Sequence, residues 1–277
     1  MRKVEDILLE WRHWNVGWSC PPRIERELAG GKTNQSYLIT ADNRRWVLRL
    51  NAFDATDFGI DRTREAAVIQ CAVVADLAPA VAYCSPEDGI LITEFIDGEH
   101  WQPQALDNPE HLAQLLYLVR SVHSLDVDTA TIDYFAHGEH YFAQLTAAKI
   151  KVPLTLRHER DQLLEQRERN PWRNQIAHLC HHDISPTNVI EFDGRLTLID
   201  WEYAARGSRA FDYAGLATEW NLPLERLQTE LGIELGELSD AARLYQYICR
   251  LWALLTERHS IRRATYHDKP ADRITLL

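Results

Sequence analysis

The 277-residue chain lacks a long apolar run, and this absence bears on where the protein is expected. No stretch approaches the roughly 18 consecutive apolar residues of a membrane-spanning helix. Residues 1–14 mix charged side chains among the apolar ones, whereas a signal peptide has an uninterrupted apolar core. The sequence therefore predicts a cytoplasmic protein that does not insert into a membrane.

Paired cysteines and an excess of positive charge are also missing. The five cysteines are odd in number and scattered without a C-x-x-C spacing, which argues against a disulfide framework and a zinc ribbon. Lysine and arginine total 30 against 41 aspartate and glutamate, so the formal net charge is -11. Because nucleic acids and anionic lipid surfaces attract basic proteins, this charge argues against both partners and favours small molecules or cations.

Residues 1–96 show the pattern of a small sheet interrupted by one helix. Apolar residues at helical spacing predict the helices, and short β-rich runs bounded by turn residues predict the strands. The predicted helices cover residues 4–14 and 62–77, and the predicted strands cover 24–28, 36–40, 46–50, 80–84 and 90–95. This part is expected to form a β-rich lobe.

Residues 97–277 are mainly helical by pattern. Asn108 is expected to cap a helix with Pro109 in its first turn, and Asp193-Gly194 predicts one short hairpin. The predicted helices cover 108–124, 141–150, 154–169, 211–220, 224–231 and 239–259, and the hairpin strands cover 189–192 and 196–199. The expected fold is α+β and two-lobed, with a small antiparallel sheet lobe over 1–96 and a larger helical lobe over 97–277.

The residues with the clearest chemistry lie between His181 and Asp200. Asp183 and Asn188 are five positions apart on a proline-containing loop, and Asp200 ends the hairpin that follows. Mg²⁺ prefers a few carboxylate or amide oxygens supplemented by phosphate oxygens and water, so Asn188 and Asp200 are predicted to hold Mg²⁺ on ATP. Asp183 is then free to orient an acceptor hydroxyl and to take its proton. His181 is predicted to support catalysis by orienting this loop through hydrogen bonds.

These residues carry a resemblance to a known superfamily. The run from His181 to Asn188, together with Ile199-Asp200-Trp201-Glu202-Tyr203-Ala204, resembles the aminoglycoside phosphotransferase and choline kinase superfamily, relatives of the protein kinases. The resemblance implies a two-lobed protein-kinase-like fold with ATP bound between the lobes. It also implies a Mg²⁺-dependent kinase that phosphorylates the hydroxyl of a small metabolite.

The same resemblance suggests where the phosphates of ATP bind. The run from 28 to 34 resembles the family's nucleotide loop, which implies phosphate contacts at Gly30, Gly31 and Asn34. Residues 46–50 resemble the strand that carries the phosphate-binding base, so Arg49 is expected to contact phosphate and to pair with Glu65. Arginine at this position is common in choline and thiamine kinases, and a guanidinium can bind phosphate bidentately.

The adenine site and the acceptor pocket are implied less directly. Residues 92–98 resemble the family's hinge, where the backbone of Glu94 and Ile96 would bind the adenine edge. Residues 251–255 resemble a late helix of choline kinases that brings an aromatic side chain to the substrate. The candidate pocket residues are Glu202, Trp201, Tyr203, Trp220, Tyr247 and Trp252. Aromatic faces beside a carboxylate suit a cationic alcohol such as thiamine, choline or ethanolamine.

Other interpretations remain open from sequence alone. The chain has nine tryptophans, and large aromatic residues are mostly found in protein cores, so each wall assignment competes with simple packing. The alternatives to a cationic-alcohol kinase are an aminoglycoside or sugar phosphotransferase, a protein kinase, and a catalytically silent nucleotide-binding module. A protein kinase is disfavoured because the short segment from Asp200 to Asp212 leaves little room for an activation segment.

Overall fold

A computed structural model describes residues 3–28, 34–51, 55–169, 172 and 176–267 of the chain. Gly30 and Gly31, predicted to contact the nucleotide, lie outside the described residues. None of the helices in the described ranges combines the length and apolar character that crossing a bilayer requires.

A five-stranded antiparallel sheet forms the N-terminal part. Its strands are β1 (Arg23–Leu28), β2 (Asn34–Ala41), β3 (Arg44–Asn51), β4 (Val81–Ser85) and β5 (Ile90–Glu94), in the order β1-β2-β3-β5-β4. Asp42 and Asn43 join β2 to β3 with φ values of 49° and 60°, the left-handed conformations that a two-residue hairpin turn requires. All five strands agree with the sequence prediction to within two residues at each end.

The outer face of this sheet is covered by the start of the chain. The sequence predicted one helix over 4–14, but α1 ends after Val4–Leu8 and a short 3-10 helix, Trp11–Trp14, follows. The break places the Trp14 ring 5.7 Å from that of Tyr83, stacked on the sheet. An apolar cluster that includes Ile7, Trp14 and Trp18 thus packs the start of the chain onto this face of the sheet.

The inner face of the sheet receives helix α2 (Arg62–Val74). Asp61 caps the helix by accepting hydrogen bonds from the backbone N–H groups of Thr63 and Arg64, both at 3.0 Å. The buried side of α2 carries three apolar residues and one carboxylate, Glu65. A charged residue on a buried helical face needs a partner, and Arg49 on strand β3 provides one.

The rest of the chain is mainly helical. Its helices are α3 (Pro109–His123), α4 (Tyr134–Ala147), α5 (Leu154–Gln166), α6 (Arg209–Glu219), α7 (Leu224–Leu231) and α8 (Leu235–His267). Asn108 caps α3 as predicted, with Pro109 in the first turn. Helix α4 begins seven residues before the predicted start at 141, because Asp133 caps it by accepting from the N–H of Ala136.

Short strands hold the loops of the helical part in place. They are β6 (Glu99–His100), β7 (His178–Cys180), β8 (Val189–Phe192), β9 (Arg195–Leu198) and β10 (Ala205–Gly207). Strand β6 pairs with β8 and β7 pairs with β10, and only the β8–β9 hairpin was predicted. Gly98, just before β6, has no room for a side chain because a Cβ would clash with the carbonyl oxygen of Glu191. The expected α+β class is confirmed by this combination of a sheet lobe and a helical region.

Candidate active site

The catalytic loop, residues 181–188, is held from below by a buried aspartate on α6. The Asp212 carboxylate accepts hydrogen bonds from the backbone N–H groups of His181 at 3.1 Å and His182 at 2.7 Å. The Nε2–H of His123 donates to the same carboxylate at 2.9 Å. Burial alone would raise the pKa of Asp212, but the hydrogen bond and charge of His123 lower it to about 2. Asp212 is therefore an ionised anchor at neutral pH, a role that sequence reasoning did not assign.

His181 links the catalytic loop to the segment that carries Asp200. Its Nε2–H donates to the carbonyl oxygen of Ile199 at 3.2 Å, and its Nδ1 accepts from the N–H of Asp183 at 3.3 Å. Burial lowers the pKa of His181 to about 4, so the ring is neutral at pH 7. His181 is fully buried and does not line the cavity, so its geometry fits a positioning role and not proton transfer with substrate.

Asp183 and Asn188 meet across the loop. The Nδ2–H₂ group of Asn188 donates to Asp183 Oδ2 at 2.8 Å and to the Asp183 carbonyl oxygen at 3.0 Å. This arrangement leaves the Asn188 Oδ1 atom as the acceptor on the side of the cavity. Burial, and then the negative charge of Glu219, raise the pKa of Asp183 to about 7. A carboxylate with this pKa is suited to accept a proton near neutral pH.

Asp200 reaches the same cavity through an unusual backbone. Its φ and ψ are both 63°, in the left-handed region that few residues other than glycine adopt. Burial, and then the charge of Glu202, raise the pKa of Asp200 well above its usual range. Its nearest cation is Arg49, whose Nη1 lies 3.5 Å from Asp200 Oδ1. A divalent cation would relieve this repulsion, and the oxygens of Asp200 and Asn188 are the hard ligands that Mg²⁺ prefers.

Arg49 and Glu65 form the buried pair that the sequence predicted. Arg49 Nη1 lies 2.6 Å from Glu65 Oε1, and Arg49 Nη2 donates to Glu65 Oε2 at 2.7 Å. Burial opposes ionisation of Glu65, but the charges of Arg49 and Arg62 hold its pKa below the usual value. The two-pronged contact fixes the Arg49 guanidinium at the inner face of the sheet, pointing toward Asp200.

Glu202 faces the cavity but is already neutralised within the protein. Its Oε2 accepts from Arg62 Nη1 at 2.9 Å and from Asn34 Nδ2 at 2.7 Å. The side chain is 3% exposed, so its charge serves the ion pair and is not left for a substrate cation. The predicted substrate contact of Glu202 stays a prediction, because the side chain lines the cavity but is already paired. Asn34, predicted to contact the nucleotide, lies at the junction of the two lobes through this hydrogen bond.

The hinge residues lie between the sheet and the helical part. Glu94 ends β5, where its N–H donates to the Ala80 carbonyl oxygen at 2.8 Å and its carboxylate pairs with Arg44 at 2.7 Å. Ile96 follows two residues later, outside any strand. Among the described residues, no group hydrogen-bonds to the Ile96 backbone, so its N–H and C=O remain available to an adenine edge.

A cavity of about 520 Å³ opens beside Asp183, Asn188 and Asp200. Half of its other lining residues are aromatic, and the walls come from α4, α6, α8 and nearby loops. The aromatic lining residues are Tyr134, His137, Tyr141, His182, Tyr203, Phe211, Tyr245 and Trp252. Tyr203 and Trp252, two of the predicted walls, are joined by a hydrogen bond of 2.9 Å from Trp252 Nε1–H to the Tyr203 hydroxyl. The cavity is large enough for a drug-sized ligand.

Three other aromatic residues proposed for the pocket do not line it. Trp201 is fully buried and donates its indole N–H to the Leu198 carbonyl oxygen at 3.0 Å. Trp220 is buried as well and donates to the carbonyl oxygen of Ile184, in the catalytic loop, at 2.8 Å. Tyr247 is likewise buried, away from the cavity. All three residues belong to the hydrophobic core, and in the two tryptophans a backbone hydrogen bond also satisfies the buried indole N–H.

Sequence reasoning missed a carboxylate, Glu219, at the end of α6. It lines the cavity and accepts a hydrogen bond from the Tyr245 hydroxyl at 3.1 Å. No lysine or arginine is among the cavity-lining residues in the described part of the chain, and Glu219 has no ion pair there. One signal could have revealed this wall: on α8, the residues facing Glu219 recur at helical spacing, at positions 245, 248, 249 and 252.

Comparisons with known proteins agree on one family for this chain. A family model described as choline/ethanolamine kinase matches residues 26–248. The protein LicA of Haemophilus influenzae is 26% identical over 199 residues, which cover 71% of this chain and 58% of LicA. The chain thus spans a little over half the length of that curated relative.

Solved structures agree on the fold. The choline kinase LicA from Streptococcus pneumoniae superposes with a TM-score of 0.77 at 19% identity, covering 93% of this chain and 92% of the other. A thermostable mutant of the aminoglycoside phosphotransferase APH(4)-Ia, in a ternary complex with ADP and hygromycin B, gives a TM-score of 0.64 at 16% identity. That alignment covers 94% of both chains. At such identities the likeness concerns the kinase-like fold alone.

Proposed function

Because the chain belongs to the choline/ethanolamine kinase family, we propose that it transfers the γ-phosphoryl group of ATP to the hydroxyl of a small cationic alcohol. One observation carries this proposal: Asp183, Asn188 and Asp200 face a single cavity whose walls include aromatic side chains and Glu219, a carboxylate without an ion pair among the residues that the structure describes. The first three groups suit phosphoryl transfer, and the last suits a positively charged acceptor.

Asp183 would orient the acceptor and receive its proton. The hydroxyl oxygen forms a bond to the γ-phosphorus as its proton passes to the Asp183 carboxylate, and the bond from the γ-phosphorus to the bridging oxygen breaks, so that ADP leaves. The amide of Asn188, 2.8 Å from Asp183 Oδ2, keeps the carboxylate pointing into the cavity. Because such transfer depends mainly on positioning and charge stabilisation, the rigid loop matters as much as the base itself.

The nucleotide would lie between the sheet and the cavity. Arg49, fixed by Glu65, contributes a guanidinium for the phosphates, and Gly30 and Gly31 would cover them from the nucleotide loop. The backbone of Glu94 and Ile96 would bind the adenine edge. When Mg²⁺ is bound, Asn188 and Asp200 would hold it, and it would neutralise charge on the phosphate oxygens.

The acceptor would place its cation near Glu219. Aromatic faces attract a cation, and Glu219 adds a negative charge that has no ion pair within the described ranges of the chain. A cavity of about 520 Å³ lies within the range of ordinary ligand sites, so a heterocyclic cation such as thiamine fits as readily as choline or ethanolamine. The proposed substrate class is therefore a cationic alcohol, with the size of the cation left to experiment.

An ADP-release assay with a panel of alcohols tests this proposal. ATP and Mg²⁺ are supplied with thiamine, choline, ethanolamine, a hexose or an aminoglycoside, and the Asp183→Asn variant serves as the control for background hydrolysis. We expect acceptor-dependent ADP release with at least one of the first three compounds. Release only with the sugar or the aminoglycoside would overturn the cationic-alcohol assignment, and ATP binding without transfer to any acceptor would indicate a silent nucleotide-binding module.

A further inference from the structure

We propose that Arg62 is a positioning residue that locks the metal-binding turn, residues 200–202, onto the nucleotide lobe through Glu202. The inference rests on the proposed function for its kinetic consequences, but its structural part stands on the contacts of Arg62 alone. Arg62 is the first residue of α2, and none of the sequence motifs singles it out.

The Arg62 guanidinium bridges three partners from three parts of the chain. Its Nη1 donates to Glu65 Oε2 at 2.8 Å and to Glu202 Oε2 at 2.9 Å, and its Nη2 donates to Asn34 Oδ1 at 2.8 Å. The side chain is only 10% exposed. Asn34 in turn donates to Glu202 at 2.7 Å, so Glu202 is held from two sides by the nucleotide lobe.

This contact acts on the turn that carries Asp200. Glu202 lies two residues after Asp200, and the intervening Trp201 is fixed in the core by its hydrogen bond to Leu198. Helix α2 packs directly against the turn. A left-handed aspartate is strained and persists only where its surroundings hold it. From the opposite lobe, Arg49 contacts Asp200 itself, and Arg62 and Asn34 hold Glu202 two residues further on.

Arg62 also determines which carboxylates Arg49 must pair with. Two arginines with largely buried side chains share three carboxylates here. Arg49 pairs with Glu65 and Asp200, and Arg62 pairs with Glu65 and Glu202. Since Arg62 pairs with Glu202, Arg49 is left with Glu65 at 2.6 Å and Asp200 at 3.5 Å, so its guanidinium faces Asp200, where the proposed function puts the phosphates. Without Arg62, the buried carboxylates would draw Arg49 away from the nucleotide.

Four variants separate a positioning role from simple stabilisation. Arg62→Gln and Glu202→Gln each break the interlobe contact, and the double variant removes both charges together. Arg64→Gln is the matched control, because Arg64 lies on the same helical turn and makes no ion pair in the described part of the chain. Amide hydrogen exchange of the segment 199–205 is measured without ligand, together with the melting temperature.

We expect Arg62→Gln and Glu202→Gln to speed exchange of the segment 199–205 by about tenfold, with Arg64→Gln within about twofold of wild type. The double variant should recover melting temperature lost in Arg62→Gln, since the buried charge of Glu202 is removed together with its partner, yet its segment should still exchange fast. If Arg62→Gln does not fold, the double variant and Glu202→Gln supply the same comparison. Unchanged exchange of this segment in the folded variants would overturn the proposal.

Kinetics give the second arm of the test. In Arg62→Gln we expect the KM for ATP and the Mg²⁺ concentration for half-maximal rate each to rise about tenfold, while the KM for the acceptor changes less than about twofold. Arg62→Lys should restore part of the loss, because an ammonium keeps the charge but lacks the second prong toward Asn34. Equal changes in both KM values would contradict a role at the metal-binding turn. Wild-type protein that phosphorylates no alcohol would refute the proposed function, and the exchange data would still decide the role of Arg62.

Discussion

The two sides of the cavity handle charge in opposite ways. On the nucleotide side, the buried carboxylates Glu65 and Glu202 are matched by Arg49 and Arg62 at 2.6–2.9 Å. On the acceptor side, the one hydrogen-bond partner of Glu219 among the described residues is the hydroxyl of Tyr245, and none of the lysines or arginines in that part of the chain lines the cavity. Under the proposed function, the carboxylates that hold the two lobes together are neutralised by arginines, whereas the charge of Glu219 is left for a cationic ligand to neutralise.

This difference defines two groups of residues. The frame residues, Arg49, Arg62, Glu65 and Glu202, hold the structure, and the others are proposed to contact the acceptor. The frame residues are buried and form several hydrogen bonds, so their loss should affect ATP and Mg²⁺ first. On the acceptor side, Glu219 and Trp252 are half-buried and line the cavity, so their loss should affect the alcohol first. Substitutions on each side therefore test whether the division is real.

The largest effect is expected at Asp183, where the two sides meet. Asp183→Asn keeps the shape but cannot take the proton, so kcat should fall by about 10³-fold with little change in the KM for ATP. Steady-state kinetics of ADP release measure both values. Full turnover by this variant would remove Asp183 from the mechanism.

A smaller loss is expected on the nucleotide side. Arg49→Gln removes the guanidinium aimed at the phosphates, so kcat/KM for ATP should fall by about 10²-fold while the KM for the acceptor stays nearly constant. Arg26→Gln, on the exposed face of β1, is the control and should behave like wild type. A loss confined to the acceptor KM would mean that the two sides are assigned the wrong way round.

The anchor below the catalytic loop makes a prediction about pH and stability. The pKa of Asp212 falls from its usual 3.8 to about 2 in the folded protein, so its stabilisation is present above pH 3.8 and is lost as the pH falls through 2. The shift corresponds to about 2 kcal/mol in the free energy of unfolding. Denaturant unfolding of wild type and Asp212→Asn should therefore show a difference that shrinks between pH 4 and pH 2. A pH-independent difference would rule out this linkage.

The family and the α+β fold could be foreseen from sequence, and both are confirmed. Asp183, Asn188 and Asp200 lie in short motifs that the sequence shows directly. Arg49 and Glu65 lie on a strand and a helix with clear patterns, so the sequence predicted that all five residues lie close together. Their roles in catalysis stay predictions. The helix start at Tyr134 was missed because its cap, Asp133, precedes the apolar pattern that marks the helix.

The cavity wall around Glu219 was harder to predict from the sequence, for a physical reason. The left-handed turn at Asp200 sends Trp201 into the core and Glu202 toward Arg62, so neighbours in sequence end on different sides of the turn. Glu219 and Tyr245 come together only because α6 packs on α8, and such tertiary contacts leave no local motif. A wall built from separate helices is visible only once the helices are packed.

The mildest effect is expected on the acceptor side. Glu219→Gln should raise the KM for the cationic alcohol about tenfold, or about 1.4 kcal/mol, because an uncharged amide no longer attracts the cation. A neutral alcohol of the same shape, such as 3,3-dimethylbutan-1-ol in place of choline, should be used equally well by both forms. Glu225→Gln, at the exposed start of α7, is the control. An equal effect on the charged and the neutral alcohol would show that Glu219 acts through shape and not through charge.

The most direct measurement is a crystal structure of the protein with Mg²⁺, a non-hydrolysable ATP analogue and the acceptor that the ADP-release panel identifies. We predict Mg²⁺ bound by Asn188 and Asp200, the acceptor hydroxyl within hydrogen-bonding distance of the Asp183 carboxylate, and the acceptor cation beside Glu219. An acceptor bound outside this cavity, or a hydroxyl turned away from Asp183, would contradict the assignment of the site.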